Sequence, residues 1–274
     1  MKTITGLLCD LVLERTGIHI DEKASDLFIE KLSGLIADRG FTSLLDYYYL
    51  LKYDAEASVE WPKVIDAITV RETFFWREFD QIRLLVSSIL PRHFKNHAMS
   101  PFRIWCAAAA SGEEPLTIAM AIDQAGFSGY PIEIVASDVS PAALRTAREG
   151  LYRERSFRNM SPEMRETYFK RQGDRWQINP YIQQKVTWTI ANLTKEDEIS
   201  GLAASNVIFC RNVFIYFHED RIRKTVKTFA NRILPPGFLF VGAPESLLKL
   251  TSDFQLNEMN GAFVYVRCFR EEIT

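Results

Sequence analysis

The stretch FRIWCAAAASGEEPLTIAMAIDQAGFSGYPIEIVASD, ending at Asp138, limits what this chain can fold into more than any other. Arg103 to Ala110 is an unbroken run of apolar and small residues, the pattern of a strand buried on both faces. Ser111-Gly112 breaks it. Glu113, Glu114 and Pro115 suit the first turn of a helix that Leu116 to Ala125 continue. Ile132 to Ala136 supplies a second buried strand, closed by Ser137-Asp138. A βαβ unit with an acid after its second strand is how many folds hold a nucleoside-bearing cofactor. The same stretch also suits a plain α/β crossover with a capped helix and no ligand.

The two glutamates bear on which cofactor fits. A dinucleotide needs bare amides at the helix start for its pyrophosphate. Glu113 and Glu114 occupy that place, stabilised there by the helix dipole, and repel phosphate. The ligand should carry a sugar diol for Asp138 and a cation for the turn. S-adenosylmethionine has both, in its ribose and in its ammonium and sulfonium groups.

At 274 residues the chain exceeds the usual single domain, and a large domain with a small one is the expectation. A net charge of −2 argues against a nucleic-acid binder that relies on bulk electrostatics. No apolar run approaches the roughly 20 residues of a membrane span. The start, MKTITGLLCDLVLERTG, is amphipathic and does not read as a signal peptide. Cys9, Cys106, Cys210 and Cys268 are far apart, which suggests buried thiols of a cytoplasmic protein and no metal site.

Residues 1–68 read as a helical domain. Ile4, Leu7, Leu8, Leu11 and Val12 form one stripe, and Phe28, Leu32, Leu35 and Ile36 another. A third helix runs through Tyr47 to Leu51, and a fourth spans Glu56 to Ile68 with Pro62 in its early turns. This part carries five more acids than bases, so residues 69–274 are mildly basic. Thr69 to Phe79, TVRETFFWREF, interleaves four aromatics with two arginines and two glutamates. It suits either a lid, with rings over a flat ligand and Arg77 facing an anion, or aromatics packed between two domains.

Beyond Asp138, Ser140-Pro141 opens a helix that Gly150 ends. Residues 153–185 break the α/β rhythm with an excess of arginine and lysine, a helix at Pro162 to Lys170 and a short hairpin in QGDRWQINP. They read as a small inserted subdomain with a basic surface. Strands then follow at Val186 to Ile190, Asn206 to Cys210 and Phe238 to Gly242, with a helix at Glu219 to Leu234. The alternating tail GAFVYVRCF reads as an antiparallel closing strand. The fold class is α/β: a class I S-adenosylmethionine-dependent methyltransferase, Rossmann-like and mostly parallel, with an N-terminal all-helical domain and a small inserted β-subdomain.

The motifs RETFFWRE, AAAASGEEP, ASDVS, ANL, IFCRNVFIYF and GAPES together resemble the bacterial chemoreceptor glutamate methyltransferases of the CheR type, from about residue 65 to 267. Departures from the family pattern are Arg71, Trp76, Leu116 and Pro244. The resemblance implies an S-adenosylmethionine site lined by Thr73, Arg77, Glu114, Asp138, Asn192, Leu193, Asn212 and Val213. It also implies S-adenosylhomocysteine as product, and as substrate a glutamate on the cytoplasmic domain of a methyl-accepting receptor. Such a carboxylate is ionised at pH 7 and needs no general base. Arg77 then steers it and Tyr216 hydrogen-bonds it. A monomer is expected, with neither nucleic acid nor membrane insertion. Some family members add a receptor's C-terminal peptide as a strand to the inserted sheet. Here FKRQGDRWQINPY is short, has one glycine, and carries Pro180, poorly suited to a strand edge. The expectation is therefore tether-independent docking through Lys170, Arg171 and Arg175. Two other readings stand beside this: a methyltransferase for a small carboxylic acid, and a catalytically silent cofactor-binding signalling module.

Overall fold

In the computed structural model, residues 3–96 and 99–269 are described. Four helices come first: α1 (Ile4–Thr16), α2 (Ser25–Asp38), α3 (Leu44–Tyr53) and α4 (Ala57–Ile68). Their apolar stripes meet in one cluster that includes Leu8, Val12, Phe28, Leu32, Tyr47 and Val64. Thr3 and Ser43 cap α1 and α3 by accepting from the amides of Gly6 and Leu45, and Gly17, at φ 78°, ends α1 in the left-handed conformation. Inside this cluster Glu60 is fully buried. It accepts hydrogen bonds from Arg39 Nε (2.8 Å), Lys63 Nζ (3.1 Å) and the Tyr47 hydroxyl (3.1 Å).

The rest of the described chain is built on two sheets. The strands are β1 (Phe102–Ala107), β2 (Ile132–Asp138), β3 (Leu151–Arg153), β4 (Phe169–Gln172), β5 (Arg175–Ile178), β6 (Val186–Ile190), β7 (Val207–Cys210), β8 (Phe238–Phe240), β9 (Phe254–Met259) and β10 (Ala262–Arg267). Seven of them form the main sheet in the order β6-β2-β1-β7-β8-β10-β9, and β10 runs antiparallel to both its neighbours. One face is covered by α5 (Phe79–Leu84), a π-helical turn at Leu85–Ile89, α6 (Leu90–Asn96) and α7 (Glu113–Gln124). The core there includes Leu85, Ile104, Leu116 and Phe209. The other face is covered by α11 (Glu196–Ala203) and α12 (Glu219–Arg232), around Trp105, Ile208 and Phe229. Between β2 and β3 runs α8 (Pro141–Glu149), and the small sheet β3-β5-β4 is packed around α9 (Pro162–Tyr168) and followed by α10 (Pro180–Gln183).

Several sequence expectations are corrected. The first strand stops at Ala107, because Ala108 and Ala110 take positive φ and begin a loop. The small sheet has three strands, beginning at Leu151 and not at residue 153. Pro180 begins α10 and lies outside every strand, so it does not guard a sheet edge. Strand β9 went unread, although Asn260-Gly261 marks its hairpin to β10: both residues have positive φ, as a two-residue turn of this kind requires. Cys106 and Cys210 are buried thiols pushed up by burial, whereas Cys9 is half-buried on α1 and Cys268 is exposed. No helix among the described residues is long and apolar enough to cross a membrane.

Burial pushes the Glu60 carboxyl up, but the hydrogen bonds from Arg39, Lys63 and Tyr47 outweigh it and hold the group below the usual carboxylate range. Its stabilising effect is therefore complete above the ordinary glutamate pKa of about 4.3 and is lost as pH falls through the lower folded value. Glu60→Gln should lower stability to urea at pH 7 by about 2–4 kcal/mol, the scale of a broken buried ion pair. The gap from wild type should close as pH falls from about 5 to 3.

Candidate active site

Two adjoining clefts open at the C-terminal ends of β1, β2, β6 and β7, where open α/β sheets bind ligands. The first is lined by Asp138, Asn192, Leu193, Asn212, Val213 and Tyr216, and the second by Thr73, Arg77, Glu114 and Asn212. Val70, Ala108, Ala110 and Asn212 belong to both. Every residue expected to hold the cofactor or the substrate carboxylate thus lines one cleft or the other.

The loop from Ala108 to Gly112 forms the shared floor. Ala108 (φ 59°), Ala110 (φ 47°) and Gly112 (φ 93°) are all left-handed, a costly conformation for alanine. Asp138 holds the loop in place: its Oδ2 accepts from the Ala110 amide and its Oδ1 from the Ser140 amide, both at 2.8 Å. Burial pushes the Asp138 carboxyl up, and these two amides and the charge of Arg71 oppose that. A methyl group at Gly112 would meet the Trp188 ring at 2.8 Å and Ala147 Cβ at 2.9 Å, so only glycine fits at the start of α7.

The two glutamates of α7 part company. Glu113 turns inward and accepts from the hydroxyls of Ser111 (2.7 Å) and Ser156 (3.0 Å), tying the insertion to the helix start. Glu114 faces the second cleft, with its Oε2 at 2.8 Å from Nε of the buried Arg211. Burial pushes Glu114 up, and the Arg211 charge opposes it. The same guanidinium donates to the carbonyls of Arg77 (2.7 Å) and Glu78 (3.3 Å) and to Gln81 Oε1 (3.2 Å). Arg211 carries no expected role in the sequence, yet it fixes the backbone that carries Arg77. A charge set directly after the apolar run Val207 to Cys210 is the signal the sequence offers.

A second anchor lies inside the GAPES motif, at a residue to which the sequence assigns no role. Glu245 Oε2 accepts from the amides of Asn212 (2.7 Å) and Gly242 (2.6 Å), and its Oε1 from Val213 (2.8 Å) and Phe214 (2.6 Å). This holds the loop bearing Asn212, Val213 and Tyr216, in which Asn212 is left-handed at φ 57°. Burial pushes the Tyr216 phenol up, with the charge of Arg77 opposing it, so the two side chains share one electrostatic environment. The Arg77 guanidinium donates to the Glu72 carbonyl at 2.8 Å.

The aromatic stretch is mostly packing and only slightly lid. Phe75 is fully buried against the rings of Tyr152, Phe157 and Phe169, with centroids 4.9, 5.2 and 5.0 Å away, and Trp76 stacks on Phe79. Phe74 alone among these rings lines a cleft. The Asn192 side chain is engaged structurally, donating to Arg15 O (2.8 Å) and accepting from Thr194. Arg71 stands beside Asp138, not at the Glu114 end, and pairs with Asp66 at 3.4 Å. The helical region supplies a further wall that the sequence did not reveal: Thr16, Ile18 and Ile68 line the first cleft, and Ile18 bridges to Phe217.

Glu245→Gln keeps the shape of the anchor and removes its charge. It should destabilise the protein by about 2–3 kcal/mol, the cost of weakening several charge-assisted hydrogen bonds. Amide exchange at Val213 and Phe214 should also quicken more than in the remainder of the sheet, and an unchanged rate there would show that the loop holds itself.

Residues 71–263 match the family model described as CheR methyltransferase, SAM binding domain, and residues 6–69 match CheR methyltransferase, all-alpha domain. Chemotaxis protein methyltransferase 2 of Vibrio cholerae is 31% identical over 261 residues, covering 94% of this chain and 90% of that protein. Chemotaxis protein methyltransferase 1 of Pseudomonas aeruginosa is 31% identical over 261 residues, covering 92% of this chain and 94% of that one. The chemotaxis protein methyltransferase of Vibrio parahaemolyticus is 34% identical over 207 residues, covering 73% and 74%. With its parallel sheet closed by an antiparallel strand and its helical N-terminal region, this chain belongs to the CheR family of S-adenosylmethionine-dependent chemotaxis methyltransferases.

Proposed function

We propose that the protein transfers a methyl group from S-adenosylmethionine to glutamate side chains on the cytoplasmic helices of chemoreceptors, giving γ-methyl esters. The observation that carries this reading is the pairing, across two joined clefts, of an acidic floor (Asp138, Glu114) with a cation and a phenol (Arg77, Tyr216). The acids suit a ribose diol and a cationic amino-acid tail, and the cation and phenol suit an incoming carboxylate.

The residues present fit the cofactor. Each Asp138 oxygen accepts one amide and keeps a lone pair for a sugar hydroxyl. The floor of alanines lets a ligand lie against backbone, and Leu193 and Val213 offer apolar walls. Asn192 contributes shape rather than its amide, which Arg15 and Thr194 already engage. The cofactor supplies an electrophilic methyl carbon. The protein's part is then to align an already ionised carboxylate with that carbon and to exclude water. Arg77 draws the carboxylate in. Because that guanidinium also serves the Glu72 carbonyl and lies near Glu114, it steers without clamping, and the attacking oxygen stays nucleophilic. The Tyr216 hydroxyl donates to the second carboxylate oxygen and fixes its orientation. Proteins named chemotaxis methyltransferases, similar over most of their length, support the choice of a receptor over a small acid or a silent module.

Docking proceeds, in this reading, by charge and not by strand addition. Lys170 and Arg171 on β4 are exposed, and a tight turn at Gly173-Asp174 joins β4 to β5. Pro180 lies outside the sheet, so this charge and the short turn are what favour docking without an added strand.

Two tests separate binding from chemistry and one probes docking. Asp138→Asn should weaken S-adenosylhomocysteine binding in calorimetry by about 1.5–3 kcal/mol. Tyr216→Phe should bind it normally while methylating a receptor domain roughly tenfold more slowly; wild-type turnover in that variant removes the phenol from the mechanism. Deleting the receptor's last residues should leave the rate unchanged, and raising salt from about 50 to 300 mM should lower it by screening exposed charge. Micromolar binding of an isolated receptor tail peptide would sink the electrostatic account.

A further inference from the structure

Beside the two clefts lies a third, formed by the linker at Val70 to Thr73, the end of α8 and the small sheet. Its cavity of about 470 Å³ is lined by five arginines, Arg71, Arg153, Arg155, Arg158 and Arg175. Only two acids, Glu72 and Glu113, line it with them. Glu113 is buried and committed to Ser111 and Ser156, and Glu72 pairs with Arg158 at 2.5 Å. Arg71 has Asp66. Arg153, Arg155 and Arg175 have no acidic partner within ion-pair distance among the described residues.

Two of these three stand directly opposite each other. In the antiparallel pairing of β3 with β5, Arg153 is the register partner of Arg175. Like charges directly across a ladder are destabilising, and neither arginine has an ion-pair partner among the described residues. Arg155 follows two residues later on the 3₁₀ segment Glu154–Phe157, exposed on the same rim. Such an arrangement weakens the folded chain alone and is relieved by an anion laid between the guanidiniums. Arginine's planar donor fork suits carboxylates in particular.

The groove is also not separate from the site. Thr73 and Glu72 line both it and the cleft that holds Arg77 and Glu114, and Arg71 lines both it and the cleft that holds Asp138. An anionic chain lying in the groove therefore has its inner end at the mouth of the methyl-transfer site. The volume admits a few side chains, not a whole helix, so a helix would lie across the rim with its acids pointing in.

We propose that this arginine groove is the substrate-docking surface. It takes an acidic helical segment whose further carboxylates, one to two turns from the acceptor glutamate, pair with Arg153, Arg155 and Arg175 while the acceptor reaches Arg77 and Tyr216. This inference rests on the glutamate-methylating reading above and adds to it the part of the protein that selects among glutamates.

The test is kinetic, on the full chain with a receptor cytoplasmic domain. Arg155→Glu, outside the ladder, and the pair Arg153→Gln/Arg175→Gln, which removes the like-charge contact without adding a new one, should each raise KM for the receptor at least tenfold. Effects on kcat should stay below threefold, and S-adenosylhomocysteine affinity should not change. In the wild-type enzyme, replacing receptor glutamates within two turns of the acceptor by glutamine should raise KM similarly, and combining that with Arg155→Glu should raise it little further. The paired glutamine variant should also resist urea at least as well as wild type. Unchanged KM in both variants, with a wild-type enzyme that methylates the receptor, overturns the groove's role. A wild-type enzyme that methylates no receptor domain overturns the glutamate reading itself, and the groove's assignment with it.

Discussion

The joint on which the site depends is the carboxylate of Asp138. It closes β2, and its two oxygens reach in different directions, one to the Ala110 amide in the loop after β1 and the other to the Ser140 amide at the start of α8. Together with the bond from the Ala109 amide to Ser137 O (2.8 Å), it holds a loop with two left-handed alanines, a conformation that costs roughly 1–2 kcal/mol per residue. The strain is local and consistent. Of the seven non-glycine residues with positive φ among the described residues, five (Trp76, Glu78, Ala108, Ala110 and Asn212) lie in the loops around the two clefts. Backbone in these conformations presents amides and carbonyls that regular strands would have turned into the sheet.

Two further charges stiffen the arrangement from behind. Arg211 gathers the carbonyls of Arg77 and Glu78 with the carboxylate of Glu114, and so sets the linker against the sheet. Glu245 gathers the amides of the Asn212 to Phe214 turn. Each is a single ionised side chain that serves several backbone groups, so each organises a loop that has little regular structure of its own. The side chains facing the clefts are thereby held by neighbours that do not themselves face them, which is what precise placement of reacting atoms requires.

The sheet and the helices around the first βαβ unit were legible, because buried strands and capped helices leave periodic and punctuated patterns. Asp138 and Glu114 were legible too, since an acid after a strand and an acid in a first helical turn each have a local electrostatic meaning. What escaped reading was non-local. Nothing near Glu245 says that it will reach back to residues 212–214. Likewise the aromatics at 74–79 look alike in sequence, and only the tertiary partners Tyr152, Phe157 and Phe169 decide that Phe75 is core and Phe74 is not. Strand β9 is a different kind of omission, because its Asn260-Gly261 turn was visible and its half-buried, polar residues concealed it.

One contact gives the helical region a different standing from that of an appended module. Asp66, on α4, accepts from the Ser140 hydroxyl (2.5 Å) and the Ala142 amide (3.2 Å), and so completes the N-terminal cap of α8, a helix of the other region. Val139, next to the Asp138 joint, packs into the helical region's own core. The inner side of the four-helix unit is thus built into the wall of the site, while its outer side is exposed. Selection can recolour that outer side, acidic here, without disturbing catalysis, whereas the inner side must change in step with α8. A chimera that exchanges the first 68 residues between relatives is therefore a graft across a shared wall, and its success depends on whether the donor brings an acid to the place of Asp66.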